Sequence, residues 1–482
     1  MRHIFRHLQH RPIVYWLPFI VFVLVFTTVL AVTSYLPRQA AHAASTDWTT
    51  FLGSNARTGY DSAETIINPT TAPNLKLHWT ASTVNHALIT TEVMTANGML
   101  YWGSWDGVLH ASDPNTGNDL WTANLGTRPG GCSNKPKGVI SSVTVATVPI
   151  KGIPTSVVFV GSGPASLFAL DALKGTILWQ TTLSSDPASF LYSSTAIYNG
   201  SIYIGVASTG DCPLVQGEVD RIDASTGLIQ NTFKVVPDGG CQGGSVWGAP
   251  TIDEQTGMLY VGTGNVDKKS CTQPLLLGDA IVELNAADLS MVASWPLPVA
   301  DRGQDTDYGS TPTLFQATIN GVSHAMLGMA NKNGYYYALD RTNISAGSLW
   351  KVRVSLGGAA PAKAGSIAAS AYDGTSLYVA ESGTTIGGLA CAGSLRKVDP
   401  SSGAFLWEDC LPGAVLAPTL AVPGLVIVGA GKNMDVVNSQ TGQILYTYTD
   451  TATNGGFWGA ATISNGVLYE GSKSGHLFAF GL

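Results

Sequence analysis

The chain has 482 residues, 55 of them glycine, and only 12% are charged. That balance is too glycine-rich and charge-poor for a helical protein and points to many short strands joined by tight turns. With 32 acidic against 25 basic residues and no basic run beyond the first dozen positions, the chain is unsuited to nucleic acid or an anionic lipid surface as partner.

Residues 1–12 are basic and rich in histidine, and residues 13–36 (IVYWLPFIVFVLVFTTVLAVTSYL) are almost wholly apolar. Ala41-His42-Ala43 then offers an A-x-A cleavage signal. The apolar run is also longer than the roughly 20 residues needed to span a bilayer. Residues 1–44 are therefore read as a signal peptide or as an N-terminal membrane anchor through 13–36, and both readings stay open. In either case the positive flank leaves 45–482 outside, an exported chain that is extracellular or held at the cell surface. All six cysteines lie beyond this segment and fit disulfides in an oxidising compartment. No CxxC or CxxCH spacing is present, so neither a zinc ribbon nor an attached c-type haem is encoded.

From about residue 88 one pattern repeats: a small-residue strand, a turn, an apolar strand ending in Gly, a variable loop, a strand ending in Asp or Asn, an S/T-x-G turn and a strand with Leu-Trp. LHASDPNTGNDLWTANL (109–125), LFALDALKGTILWQTTL (167–183) and LRKVDPSSGAFLWEDCL (395–411) show its second half. Asp113, Asp171, Asp223, Asp340 and Asp399 can accept from turn amides, and Gly117, Gly175, Gly227 and Gly403 can take positive φ. The leading strands begin near 88, 140, 193, 246, 308, 365, 414 and 456. Eight copies of four strands predict an all-β, eight-bladed propeller of antiparallel blades over 45–482. The last copy runs out after three strands. LKLHWTA (75–81) has the fourth-strand pattern, so an N-terminal strand should close the ring. Trp79, Trp121, Trp179, Trp350 and Trp407 recur at one fourth-strand position and are assigned to packing between blades.

One copy, GGSVWGAPTIDEQTGMLYVGTGN (243–265), carries both a Trp and a terminal Asn. With the repeats it resembles the eight-bladed quinoprotein alcohol dehydrogenases, which hold pyrroloquinoline quinone (PQQ). The resemblance covers about 47–482. It implies Trp247 as the floor beneath the quinone and Asn265 as a Ca²⁺ ligand. DRGQDTDYGSTPTLF (301–315) is similar to the family's Asp-Tyr segment, which implies Asp307 as general base. NKNGYYYALDRTN (331–343) places Lys332 at the quinone oxygens, and GGCSNKPKGV (130–139) places Lys137 at its carboxylates. GVASTGDCPLVQG (205–217) occupies the loop of a family Glu ligand, with Asp211 in its place. Two further differences stand out. The family's vicinal cysteine pair is reduced to Cys132, and Gly309 stands where lanthanide-using members have a second Asp, which implies calcium.

The residue chemistry agrees with that assignment. Removing a hydride from an alcohol needs an electrophilic acceptor that no side chain supplies, so a cofactor must carry it. A flat polyacid such as PQQ needs an aromatic floor, cations and a Lewis acid. Trp247, Lys137 with Lys332, and hard oxygen donors on Asn265 and Asp211 offer these. In a four-stranded blade the loops after second strands and those between blades share one face, which gathers Asp211, Asn265, Lys137, Asp307 and Lys332 near one mouth of the channel. All six cysteines fall in loops of the same face. Cys391 and Cys410 flank the outer strands of one blade and should pair. The other four pair as Cys212–Cys241 with Cys132–Cys271, or as Cys132–Cys212 with Cys241–Cys271. The expectation is an exported PQQ- and calcium-dependent dehydrogenase of a small or polymeric alcohol, passing electrons to a separate cytochrome or quinone. The alternative is a non-catalytic propeller for binding or envelope assembly.

Overall fold

A computed structural model describes residues 47–482 except 133–134, 268, 270, 272–276, 304 and 360–363. The signal-or-anchor segment, 1–44, lies outside the described residues. Eight antiparallel sheets follow one another along the chain, each built as an up-and-down meander. Blade 1 spans 94–124, blade 2 144–182, blade 3 196–234, blade 4 251–296, blade 5 313–353, blade 6 371–411 and blade 7 420–449. Blade 8 takes three strands from 462–481 and its fourth from Lys76–Ser82, which pairs antiparallel with His476–Gly481. The predicted propeller and its N-terminal closing strand are both present. The small-residue stretches do not all belong to the first strands, however. Ladder pairing within the blade begins several residues later, at Met94, Thr144, Ala196 and Thr251, after a run whose alternate residues line the channel.

The recurrent tryptophans join blades as expected, through a specific contact. Trp79, Trp121, Trp179, Trp350 and Trp407 each donate the indole N–H to a carbonyl in the next blade's turn, at 3.0–3.1 Å. The turn glycine lies flat beneath the ring: a Cβ on Gly175 would meet Trp121 at 2.5 Å, and one on Gly227 would meet Trp179 at 2.7 Å. The turn needs glycine twice over, for positive φ and for this approach. The repeated Asp caps the same turn, as where Asp113 Oδ1 accepts from the amides of Asn115 and Thr116.

Residues 47–64, which no repeat announced, form a strap across the channel. The innermost strand of every blade has an open edge, and its backbone groups need partners. The strap supplies them in ring order. Thr95 N–H donates to Trp48 O, Val145 to Thr49, Ile252 to Asn55, Leu314 to Ala56, Tyr372 to Thr58 and Ala421 to Gly59. Each donor is the second residue of its strand. Blade 3 is met by the Asn55 side chain, which donates to Ile197 O at 2.7 Å. Blade 8 is met by Glu64, which accepts from Gly466 N–H. Arg57, wholly buried, binds carbonyls of Pro250, Phe51 and Thr195.

Candidate functional site

The cavity of about 590 Å³ at the channel mouth is lined by short stretches from all eight blades, with Phe51 of the strap among them. Just before each ladder begins, alternate residues face inward, as period 2 requires: Tyr192 and Ser194 in blade 3, Trp247 and Ala249 in blade 4, Trp458 and Ala460 in blade 8. The lining is divided by chemistry. Blades 2 to 5 bring Lys137, Tyr192, Asp211, Asp305, Asp307 and Lys332; blades 6 to 8 bring Ile367, Leu416, Pro418 and Trp458.

The charged half contains a tight network. Lys332, on the turn after the second strand of blade 5, donates to Asp305 Oδ1 and Asp307 Oδ2, both at 2.9 Å. Lys332 and Asp307 are each only 6% exposed. Asn265 adds its backbone N–H to Asp307 Oδ1 at 2.8 Å and its side-chain amide to Asp305 Oδ1 at 3.2 Å. Burial raises the Asp307 carboxyl above the usual carboxylate range; Lys332 opposes that rise and Asp305 adds to it. Burial works against the Lys332 charge, but Asp307 and Asp305 outweigh it and hold the ammonium on. The ammonium lies 5.1 Å from the centre of the Trp247 ring, a cation–π contact. Gly309 passes so close beneath that ring that a Cβ there would lie 2.0 Å from Trp247 Cζ2. Its lack of a side chain is what allows the indole to stand where it does.

Lys137 and Asp211 line the same cavity but lie outside this network. Lys137 Nζ donates to the Tyr192 hydroxyl and to Thr209 O, the latter at 2.8 Å, and burial lowers its pKa. Asp211 sits on the rim beside Cys212. Cys132 also lines the cavity, bonded to Cys212, so a disulfide between blades borders it. The remaining bridges are Cys241–Cys271 and Cys391–Cys410. The pairing of Cys212 with Cys241 and of Cys132 with Cys271 is thereby corrected. Cys132–Cys212 ties the connection after blade 1 to a loop of blade 3, and Cys241–Cys271 ties the connection after blade 3 to a loop of blade 4. Cys391–Cys410 instead joins two paired strands within blade 6, so these two cysteines stand on strands and not in loops.

The arrangement fits a flat polyanion, with an exposed indole face and two lysines on its margins. It fits a divalent cation less fully. Asn265, Asp305 and Asp307 offer hard oxygens, but both carboxylates are already paired with the one Lys332 ammonium. Among the described residues no group of three His, Cys, Asp or Glu side chains could hold a metal ion. A calcium ion here would need donors from a bound molecule. The sequence reading missed Asp305 as a member of the network and Tyr192 as the partner of Lys137. The spacing of Asp305 and Asp307 was a usable signal, since residues two apart on extended chain point the same way.

Comparison with known proteins agrees with the eight-bladed fold. The family described as PQQ glucose/ethanol/alcohol dehydrogenase, β-propeller domain, matches residues 48–354. The polyvinylalcohol dehydrogenase of Sphingopyxis sp. (strain 113P3) is 26% identical over 60% of this chain and 47% of its own length. The outer membrane protein assembly factor BamB of Yersinia pestis is 23% identical over 78% of this chain and 80% of its own. Among solved structures, the quinohemoprotein alcohol dehydrogenase ADHIIG of Pseudomonas putida HK5 superposes with a TM-score of 0.74 at 17% identity, covering 90% of this chain and 80% of that one. The chain spans about half the length of the polyvinylalcohol and quinohemoprotein dehydrogenases it matches by sequence. With its eight blades and the match across 48–354, the chain belongs to the PQQ glucose/ethanol/alcohol dehydrogenase β-propeller family.

Proposed function

We propose that this chain is an exported quinoprotein dehydrogenase that oxidises an alcohol with PQQ and hands the electrons to a separate cytochrome or quinone. The observation that carries the reading is the convergence of Trp247, Lys332 and Asp307 in one cavity. PQQ, when bound, supplies the electrophilic acceptor for the electrons and hydrogen that leave the alcohol carbon. Trp247 would bind its flat face, and Lys332 and Lys137 would meet its oxygens and carboxylates. Asp307 takes the alcohol's hydroxyl proton: its raised pKa makes it a stronger base than an exposed carboxylate, and Lys332 and the Asn265 amide fix its orientation. Asn265, with Asp211 or Asp305, would hold calcium together with oxygens of the cofactor. The buried walls and Phe51 of the strap exclude bulk water from the reacting atoms. The likeness to polyvinylalcohol dehydrogenase supports secondary alcohols, polymeric ones included, as substrates. Three disulfides and the likeness to an envelope protein support export.

Reconstitution with PQQ and Ca²⁺ tests the reading. The expected result is stoichiometric quinone binding and dye reduction with a secondary alcohol. Asp307→Asn is expected to bind quinone and lose at least 100-fold in turnover. A chain that binds no quinone would instead support a scaffold role like that of BamB. That second reading is favoured by one observation, the absence of a vicinal cysteine pair at Cys132.

A further inference from the structure

The turn after the second strand, which carries Lys332 in blade 5, carries Lys432 in blade 7 and Lys473 in blade 8. These two turns clamp the stretch leading into Trp458. Phe457 N–H donates to Gly431 O at 2.9 Å, and Lys473 N–H donates to Gly456 O at 2.8 Å. Trp458 is the counterpart of Trp247 four blades round the ring, in GFWGAAT against SVWGAPT, and it too is half-buried and lines the cavity. The Lys473 ammonium lies 4.2 Å from the centre of its ring.

What differs is the charge around the two platforms. Lys332 holds two carboxylates, whereas neither Lys432 nor Lys473 is in a salt bridge among the described residues. Lys432 donates to the neutral carbonyl of Ala452 at 2.8 Å. Nearby Asp450 is occupied by the hydroxyls of Ser472 and Ser474 and the Ala452 amide. Asp435 and Glu470 are buried beneath the surface at 1% and 0% exposure. After burial, the one charge acting on Lys473 is Lys432, and both lower its pKa. Two ammonium groups against the single hydroxyl-bonded carboxylate of Asp450, in a chain with an excess of acids, leave a local positive charge beside Trp458, which lines the cavity next to its apolar wall.

We propose that Lys432, Lys473 and Trp458 form an anion-binding subsite on the cavity rim that takes a carboxylate-bearing ligand with an apolar body. The carboxylate meets the two ammonium groups, which gain the charge-assisted hydrogen bonds they lack. The body lies against Trp458 and Leu416, on the side opposite Trp247. The subsite needs no quinone, so it is separable from the dehydrogenase reading.

Isothermal titration of the full chain, without quinone, with octanoate, octan-1-ol and inorganic phosphate tests it. Octanoate is expected to bind one site, more tightly than octan-1-ol, and to weaken as salt rises. Lys432→Gln with Lys473→Gln is expected to weaken octanoate at least tenfold and octan-1-ol less than twofold, while the paired Arg substitutions retain binding. Lys151→Gln, on an exposed hairpin of blade 2, is the control and should change nothing. Failure of octanoate to bind, or equal affinity in wild type and the Gln pair, overturns the subsite. So does phosphate binding as tightly as octanoate, since the apolar wall would then contribute nothing. If the double variant does not fold, Lys473→Gln alone decides by the same criterion. None of these outcomes bears on quinone binding at Trp247.

Discussion

Lys332 satisfies two carboxylates that would otherwise face each other in a buried pocket. Removing it as Lys332→Met leaves Asp305 and Asp307 with uncompensated charge, a change that costs about 3–5 kcal/mol when one partner of a buried pair is lost. The denaturant midpoint should fall accordingly. In a reconstituted enzyme the base must be ionised to accept a proton, so the rate rises with pH through the Asp307 pKa. Burial already raises that pKa and Lys332 restrains it; without the ammonium, the acid limb of the kcat/KM profile should move to higher pH. Asp305→Asn in the same background should move it part of the way back. The meeting of Asp307 and Lys332 in one site could be read from sequence because they sit in distinctive strings. The membership of Asp305 was signalled only by its spacing from Asp307, since an acid beside a turn is also a common cap, and the folded chain shows Lys332 between the two.

The blade-to-blade contact is the unit from which the molecule is assembled, and its tightest point is a glycine under an indole. This allows backbone and packing effects to be separated. Gly227 and Gly200 have the same φ of +75°, but a Cβ on Gly227 would strike Trp179 at 2.7 Å, while one on Gly200 meets open space. Gly200→Ala should cost about 1–2 kcal/mol for left-handed backbone alone. Gly227→Ala should cost about 1–3 kcal/mol more through overpacking, measured by urea unfolding. Equal costs would show that the stack contributes nothing. The repeat was legible because five of the eight blade junctions use a Trp on this contact, and the Asp or Asn and Gly of the turn recur around it. The Cys391–Cys410 bridge was legible too, because both cysteines belong to neighbouring strands of one blade. The partners of the other four cysteines were not, because the nearness of two loops depends on how successive blades are rotated, which no local pattern records.

At the scale of the whole molecule the strap has most influence, and it was the least visible feature in the sequence. Residues 47–64 act mainly through their backbone, so neither periodicity nor composition marks them. Glu92 of blade 1 anchors the strap by accepting from the Trp48 indole at 2.7 Å and the Leu52 amide at 2.8 Å. Burial raises its pKa from 4.5 to about 8, against those two donors and Arg57. The folded chain therefore holds a proton that the unfolded chain releases above pH 4.5. This contribution to stability is complete below that pH and is lost as pH rises through about 8. Urea unfolding should show stability falling over this interval. Glu92→Gln should flatten the slope while lowering stability at acid pH, because its amide would meet one of the two donors.

The strap also sets an order of events. It is made before any blade, yet its partners extend to Gly466, a few residues from the last strand. The strap, made before every blade, is thus among the last segments to be fully seated, and the ring cannot close while its final blade is still missing. A protein arranged in this way stays threadable until it is finished.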